Sequence, residues 1–409
     1  MRKTSMLIAA MILIVCAAGS AETAALDPSA PSWPRWRGPN GNGKIAEAAW
    51  NPKEIETAKP LWKVNVGKGY SSICAAGGYL FTVGQKSYSE ETLVCLKAAD
   101  GREVWSFSYP SRYIEYQGGR GMPVFENGRL YLQSILGHAY CLDASTGKVI
   151  WDTDMAGKTG AYSPSWGFTS SALLEGDLAV FNMGKSGVAL NKDNGSLVWK
   201  SGTATAGYAT PVPLDFQGKR YLAVFGSSAL TVVEALTGKE FATAPWRTSY
   251  DVNAGDPLVI GDSIFIATNY STGSAMYKLG NNSLTQLWKN GSVLCHFSSA
   301  VYLDGYIYSS GASVGGGSGP FFCLNAKDGS VAWKENLGVA SLIAVGSRLL
   351  ITTETGDLIA VEATPKAFTQ IARAERIVPR LCWTAPVFAG GKIYLRSDKG
   401  DVICLDVSS

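Results

Sequence analysis

One ten-residue phrase recurs along the chain. Leu142-Asp143-Ala144-Ser145-Thr146-Gly147-Lys148-Val149-Ile150-Trp151 is matched by Leu96 to Trp105, Leu190 to Trp199 and Leu324 to Trp333, with looser copies at Val233 to Ala242, Leu279 to Trp288 and from Val361. Successive copies start roughly 40 to 48 residues apart, the period of a propeller blade. A unit of that length buries its apolar face only by stacking on its neighbours, so the repeat sets the architecture before any other feature.

Each copy is an apolar run rich in β formers, a polar corner closed by Gly101, Gly147, Gly195 or Gly329, and a second alternating run ending in Trp. That is a hairpin whose glycine takes the left-handed conformation. A tighter hairpin precedes each one, with tips at Gly77-Gly78, Asn127-Gly128, Gly176-Asp177, Gln217-Gly218, Gly261-Asp262, Asp304-Gly305, Gly346-Ser347 and Gly390-Gly391. Two hairpins per unit predict four-stranded antiparallel blades, and the eight tips predict an all-β, eight-bladed β-propeller. The strands are A to D outward from the axis. The last unit stops after Ile403-Cys404-Leu405-Asp406 without an outer strand, whereas Leu61-Trp62-Lys63-Val64 is an outer strand without a unit. The two are expected to pair and close the ring; an open array with a frayed last blade is the alternative. Pro365 to Arg376 reads as a short helical or irregular insertion in blade seven.

Composition fits one continuous propeller over residues 60–409, preceded by an extended strap at 22–59 and a secretory signal at 1–21. Arg2-Lys3, the apolar run Met6 to Ala18 and Gly19-Ser20-Ala21 have the layout of a signal, and the run is too short to span a bilayer. The chain is therefore expected to be exported, periplasmic or extracellular. Val15 stands where a lipoprotein signal has a small residue, which disfavours lipidation of Cys16. Removing Arg2 and Lys3 takes the formal charge from +3 to +1, a balance that argues against nucleic acid as a partner. Cys95, Cys141, Cys323 and Cys404 hold one C-strand position in different blades, where other copies carry Ala189, Val232, Lys278 and Ala360. Equivalent positions around a ring are too far apart for disulfides, so these read as small core residues.

In such blades the A–B and C–D turns share one face, while the B–C and D-to-A connections share the other. The long segments 109–122, 158–169, 269–275, 311–320 and 376–384 all fall on the second face, which makes it the expected binding surface. Residues just before each inner strand should ring a central funnel there. The candidates are Tyr113, Tyr116, Arg120, Tyr162, Trp166, Tyr208, Asn253, Asp256, His296, Arg380 and Trp383. Such a ring fits a flat or anionic ligand, or else simply plugs the axis.

Other chemistry is weakly signalled. His138 reads as a surface residue of the B–C turn in blade two, and His296 has no second ligand at a metal spacing, so no metal site is expected. No nucleophile motif is present, and no catalytic residue is assigned. Gly315-Gly316-Gly317-Ser318-Gly319 reads as a loop rather than a phosphate cradle. Trp33-Pro34-Arg35-Trp36-Arg37-Gly38-Pro39-Asn40-Gly41-Asn42-Gly43 reads as a strap packed on the ring over the closing blade.

The Leu-Asp-Ala-x-Thr-Gly-Lys-x-x-Trp copies, clearest at Leu142 to Trp151, resemble the eight-bladed propellers built from pyrroloquinoline-quinone-type repeats. That resemblance covers nearly everything after residue 60. It implies either of two functions, because the superfamily includes quinoprotein alcohol dehydrogenases and a non-enzymatic lipoprotein of outer-membrane assembly. The dehydrogenase branch implies an adjacent-cysteine disulfide, a Trp floor, calcium held by Glu, Asn and Asp, and an Asp base. By position Trp166 or Trp383 would be the floor, Arg120 or Arg380 the carboxylate partner, and Asp251 or Asp256 the base; no Cys-Cys pair occurs. The expectation is thus an exported scaffold without a cofactor, binding an envelope protein or peptide, or a small ligand, on its loop-rich face in cell-envelope assembly. The alternative is a dehydrogenase holding pyrroloquinoline quinone and calcium in the funnel.

Overall fold

The computed structural model describes residues 22–46, 50–311 and 318–408. The signal and Cys16 lie outside the described residues, as does most of the glycine run at 315–319. The rest forms eight antiparallel sheets, each in the order A-B-C-D. Inner strands such as Cys74–Ala76 and Val124–Glu126 are three residues long, and the outer ones, such as Glu103–Pro110, are longer. No helix among the described residues is long and apolar enough to cross a membrane.

The ring closes as the sequence predicts. Pro60–Asn65 runs antiparallel to Asp401–Asp406 as the outer strand of blade eight, with Trp62 opposite Cys404. The same arrangement, a B-strand aromatic, a small C-strand residue and a D-strand Trp, recurs as Phe81, Cys95 and Trp105 and as Tyr308, Cys323 and Trp333. The two rings lie 5.8 Å and 6.0 Å apart in these blades, meeting over the small residue between them. Cys95, Cys141, Cys323 and Cys404 fill this position as buried, unpaired side chains, and in blade five Met276 fills it between Phe265 and Trp288, whose rings still lie 5.9 Å apart.

Each D-strand Trp also reaches the next blade. Trp105 donates its indole N–H to Ala144 O at 3.1 Å, Trp151 to Lys192 O at 2.9 Å and Trp199 to Ala235 O at 3.1 Å. Trp62 does the same to Ala98 O at 3.1 Å, so blade eight grips blade one. The corner glycine of the receiving blade lies flat on that ring. Gly147 has φ +69°, and a Cβ there would stand 2.6 Å from the Trp105 ring.

Three expectations are corrected. Residues Thr369–Ala374, read as part of an insertion, are the D strand of blade seven; with Ala372 in place of Trp the segment lacks the repeat's signature. In blade five the small-residue position belongs to Met276, not Lys278, because Asn281-Asn282 closes that hairpin with two residues and shifts the count. His138 opens strand C of blade two instead of lying in the turn, stacked on Tyr140 with its Nε2 2.7 Å from the Asp152 carboxylate.

The strap takes a different course from the one expected. Its tail covers the closing blade, where Trp50 packs edge-on against Phe388 and Asn51 N donates to Val407 O, and Pro31 lies beside the Gly390 tip of the same blade. Its first residues run along the tight turns, Asp27 N donating to Gly77 O and Ala24 N to Ser145 O, and from Trp33 on it contacts inner strands or their lead-ins around the ring. Trp33 bridges to Ala75, Pro34 O accepts from Phe125 N, Trp36 bonds Asp256, Arg37 bonds Ala300 O, and Lys44–Ile45 runs parallel to Ala340–Val345. One short segment meets blades one, two, five, six and seven together only along the axis.

Candidate functional site

Above this axial plug the ring encloses a funnel of about 460 Å³. The strap supplies its floor through Trp33, Trp36, Arg37 and Gly43, while connections from the loop-rich face supply its wall. Blade seven, reached by a short connection, contributes Ser341 to Ile343 from its inner strand.

Six of the sequence candidates line this funnel: Tyr116, Arg120, Trp166, Tyr208, His296 and Trp383. Trp383 is the hub of the rings. Tyr70 stacks on it at 5.0 Å and 23°, with Tyr116 at 5.4 Å and Phe297 at 5.2 Å. Trp166 and Tyr208 meet at 6.1 Å on the far wall, and the Tyr270 hydroxyl lies 3.2 Å from His296 Nε2. Burial lowers the His296 imidazole to about 4, so it is neutral at ordinary pH.

The other five lie elsewhere. Tyr113 and Tyr162 are 65 % and 66 % exposed, Tyr113 packing on Tyr88. Arg380 is also exposed and lies 3.7 Å from Glu354. Asn253 is fully buried and donates its side-chain amide to Gly226 O and Ser227 O. Asp256 anchors the strap: it accepts from Trp36 Nε1 at 2.5 Å, Thr210 N at 2.8 Å and Ser299 Oγ at 3.0 Å. Burial pushes its carboxyl up, against the pull of nearby Arg37 and these donors. Sequence position identifies the connection but not the direction a side chain takes from it. The candidates also omitted Trp36, Glu115 and Tyr270; only the paired Trp-Arg of the strap offered a signal for the first.

Two arginines border the funnel, and both are engaged by backbone. Arg120 donates to Gly118 O at 3.2 Å, Glu115 O at 3.0 Å and Tyr116 O at 2.5 Å, and its guanidinium lies 5.6 Å from the Tyr70 ring centre. Arg37 donates to Ala300 O and, at 3.3 Å, to Asn42 O.

Glu91 is buried nearby next to Tyr109. Burial raises its carboxyl to about 7, against the weaker pull of Tyr109 and Arg120. The folded state therefore binds more protons than the unfolded chain between the ordinary glutamate value and about 7. This part of the stability is complete below that window and lost as pH rises through it. Glu91→Gln should match the wild type near pH 5 and exceed it at pH 8 by about 2–3 kcal/mol. Urea midpoints at the two pH values check this, and the His296 contribution, common to both proteins, cancels. An equal offset at both pH values would refute the assignment.

The residues present do not fit a quinone held with calcium. Among the described residues no three His, Cys, Asp or Glu side chains cluster to hold a metal. Tyr70 already stacks on Trp383, Arg120 is committed to carbonyls, Asp256 is committed to the strap, and Cys295 and Cys382 are buried and unpaired.

Comparison with known proteins finds relatives in both branches of the propeller family. A family model described as outer membrane protein assembly factor BamB matches residues 89–335. BamB of Yersinia pestis is 23% identical over 320 residues, 73% of this chain and 76% of that protein. The quinoprotein alcohol dehydrogenase PedH of Pseudomonas putida is 26% identical over 220 residues, 50% of this chain but only 33% of that protein. Among solved structures, BamB from Moraxella catarrhalis superposes with TM-score 0.63 at 15% identity, covering 85% of this chain and 99% of that one. The quinohemoprotein alcohol dehydrogenase of Comamonas testosteroni gives 0.67 at 11%, covering 94% and 81%. At these identities the superpositions speak for the fold alone.

Proposed function

This chain belongs to the family of pyrroloquinoline-quinone-like repeat propellers whose model is described as outer membrane protein assembly factor BamB, and from that premise we propose that it is a non-enzymatic scaffold of the cell envelope. It captures a protein or peptide partner on its loop-rich face. The observation that carries this reading is the funnel: rings from several connections converge on one cavity closed from below by the chain's own strap. Aromatic anchors in a desolvated pocket are the usual energetic centre of a protein interface. The basic start and apolar run of the first residues support export.

Capture from envelope extract tests the reading. The wild type should retain a partner that the Tyr116→Ala/Trp166→Ala double variant loses by tenfold or more, since each anchor contributes roughly 1–2 kcal/mol. Unchanged capture by the variant would move the site elsewhere. The PedH relationship makes the enzyme the second reading. Reconstitution with pyrroloquinoline quinone and calcium is expected to give neither cofactor absorbance nor dye-linked alcohol oxidation, and either signal would overturn the scaffold.

A further inference from the structure

We propose that the funnel is a cage for an organic cation: a basic side chain of the captured partner or a free quaternary ammonium group. The proposal deepens the reading of the loop-rich face as a binding surface and rests on it.

The first argument is what the walls offer. Aromatic faces carry the negative part of the ring quadrupole and attract cations positioned over them. One ring of this funnel already does so, because Arg120 lies over Tyr70. Trp166 and Tyr208, 6.1 Å apart on the opposite wall, supply further aromatic surface.

The second argument is the charge left unspent. Arg120 is engaged by Gly118 O, Glu115 O and Tyr116 O, and Arg37 by Ala300 O and Asn42 O beside the Asp256 carboxylate. Both are therefore already committed within the protein. Glu115, by contrast, lines the funnel with its side chain exposed, and it has no ion-pair partner among the described residues. The carbonyl bonds leave both guanidiniums charged, but Arg37 is offset by the Asp256 carboxylate and Arg120 is drawn onto the Tyr70 ring, so the exposed Glu115 carboxylate and the remaining ring faces are what the funnel offers a second cation.

Calorimetric titration with choline, with its uncharged isostere 3,3-dimethylbutan-1-ol, and with a doubly capped lysine amide tests the cage. The cations should bind at least about tenfold more tightly than the isostere, and added salt should weaken them. Glu115→Gln and Tyr116→Ala, both at exposed positions, should each weaken the cations by about fivefold. Tighter binding of the lysine amide identifies a partner's side chain as the source, and tighter choline binding identifies a free ammonium compound. Equal binding of the isostere, or cation affinity unmoved in Glu115→Gln, would overturn the proposal. Cation binding that is absent while partner capture persists refutes the cage alone. Cation binding that persists while capture ignores Tyr116 and Trp166 refutes the scaffold alone.

Discussion

Gly147→Val should cost about 2–5 kcal/mol. A side chain forced into the left-handed region loses about 1–2 kcal/mol, and overpacking against a fixed neighbour adds about 1–3 kcal/mol. Both apply, because Gly147 has φ +69° and a Cβ there would stand 2.6 Å from the Trp105 ring. The ring cannot step back without breaking the 3.1 Å bond from its N–H to Ala144 O. Gly128 provides the control: its φ is +77°, but a Cβ there has nothing within 4 Å, so Gly128→Val should cost the backbone strain alone. Chemical denaturation of the two variants separates the contributions. Equal losses would mean that the corner glycines serve only their turns and not the junction between blades.

The second large effect is expected at the seam. Trp62→Ala removes the indole bond to Ala98 O, the packing on Gly101 and the contact with Tyr394 at 6.1 Å. Truncating a packed Trp costs roughly 3–5 kcal/mol, and Trp62 is half-buried, so about 2–4 kcal/mol is expected. Trp333→Ala removes a comparable contact, including the 2.7 Å bond to Thr364 O, but within a continuous stretch of chain. Only the seam variant should also release its strand. Hydrogen exchange at residues 60–65 and 401–406 should then rise well before the rest of the ring opens. Uniform exchange in both variants would show that closure does not depend on this Trp.

Much of this was legible because the repeat states the same physics several times. The corner glycines, the small residues between rings and the mismatch between the two chain ends all follow from aligning the copies. Reading fails where a blade departs from the pattern, as at the two-residue hairpin after Lys278 and the Trp-free strand ending at Ala374. The candidate site was legible only in part. The connections that bear the rings could be named from the order of hairpins, but Tyr113 and Tyr162 turn outward while Tyr116 and Trp166 turn inward. The axial course of Trp33 to Gly43 was hidden for a different reason. The segment has no periodicity, and its partners Asp256, Ala300 and Ala344 are distant in sequence, so nothing local indicates where it goes. Asp256 shows the consequence: a buried carboxylate at the funnel's edge reads as a functional group until its partner Trp36 is in place.

Photocrosslinking in envelope preparations tests the central claim most directly. A photoreactive residue at position 116 or 166 should capture a partner protein, while the same residue at 127 or 177, on the opposite face of tight turns, should capture none. Crosslinks arising only from 127 and 177 would contradict the account.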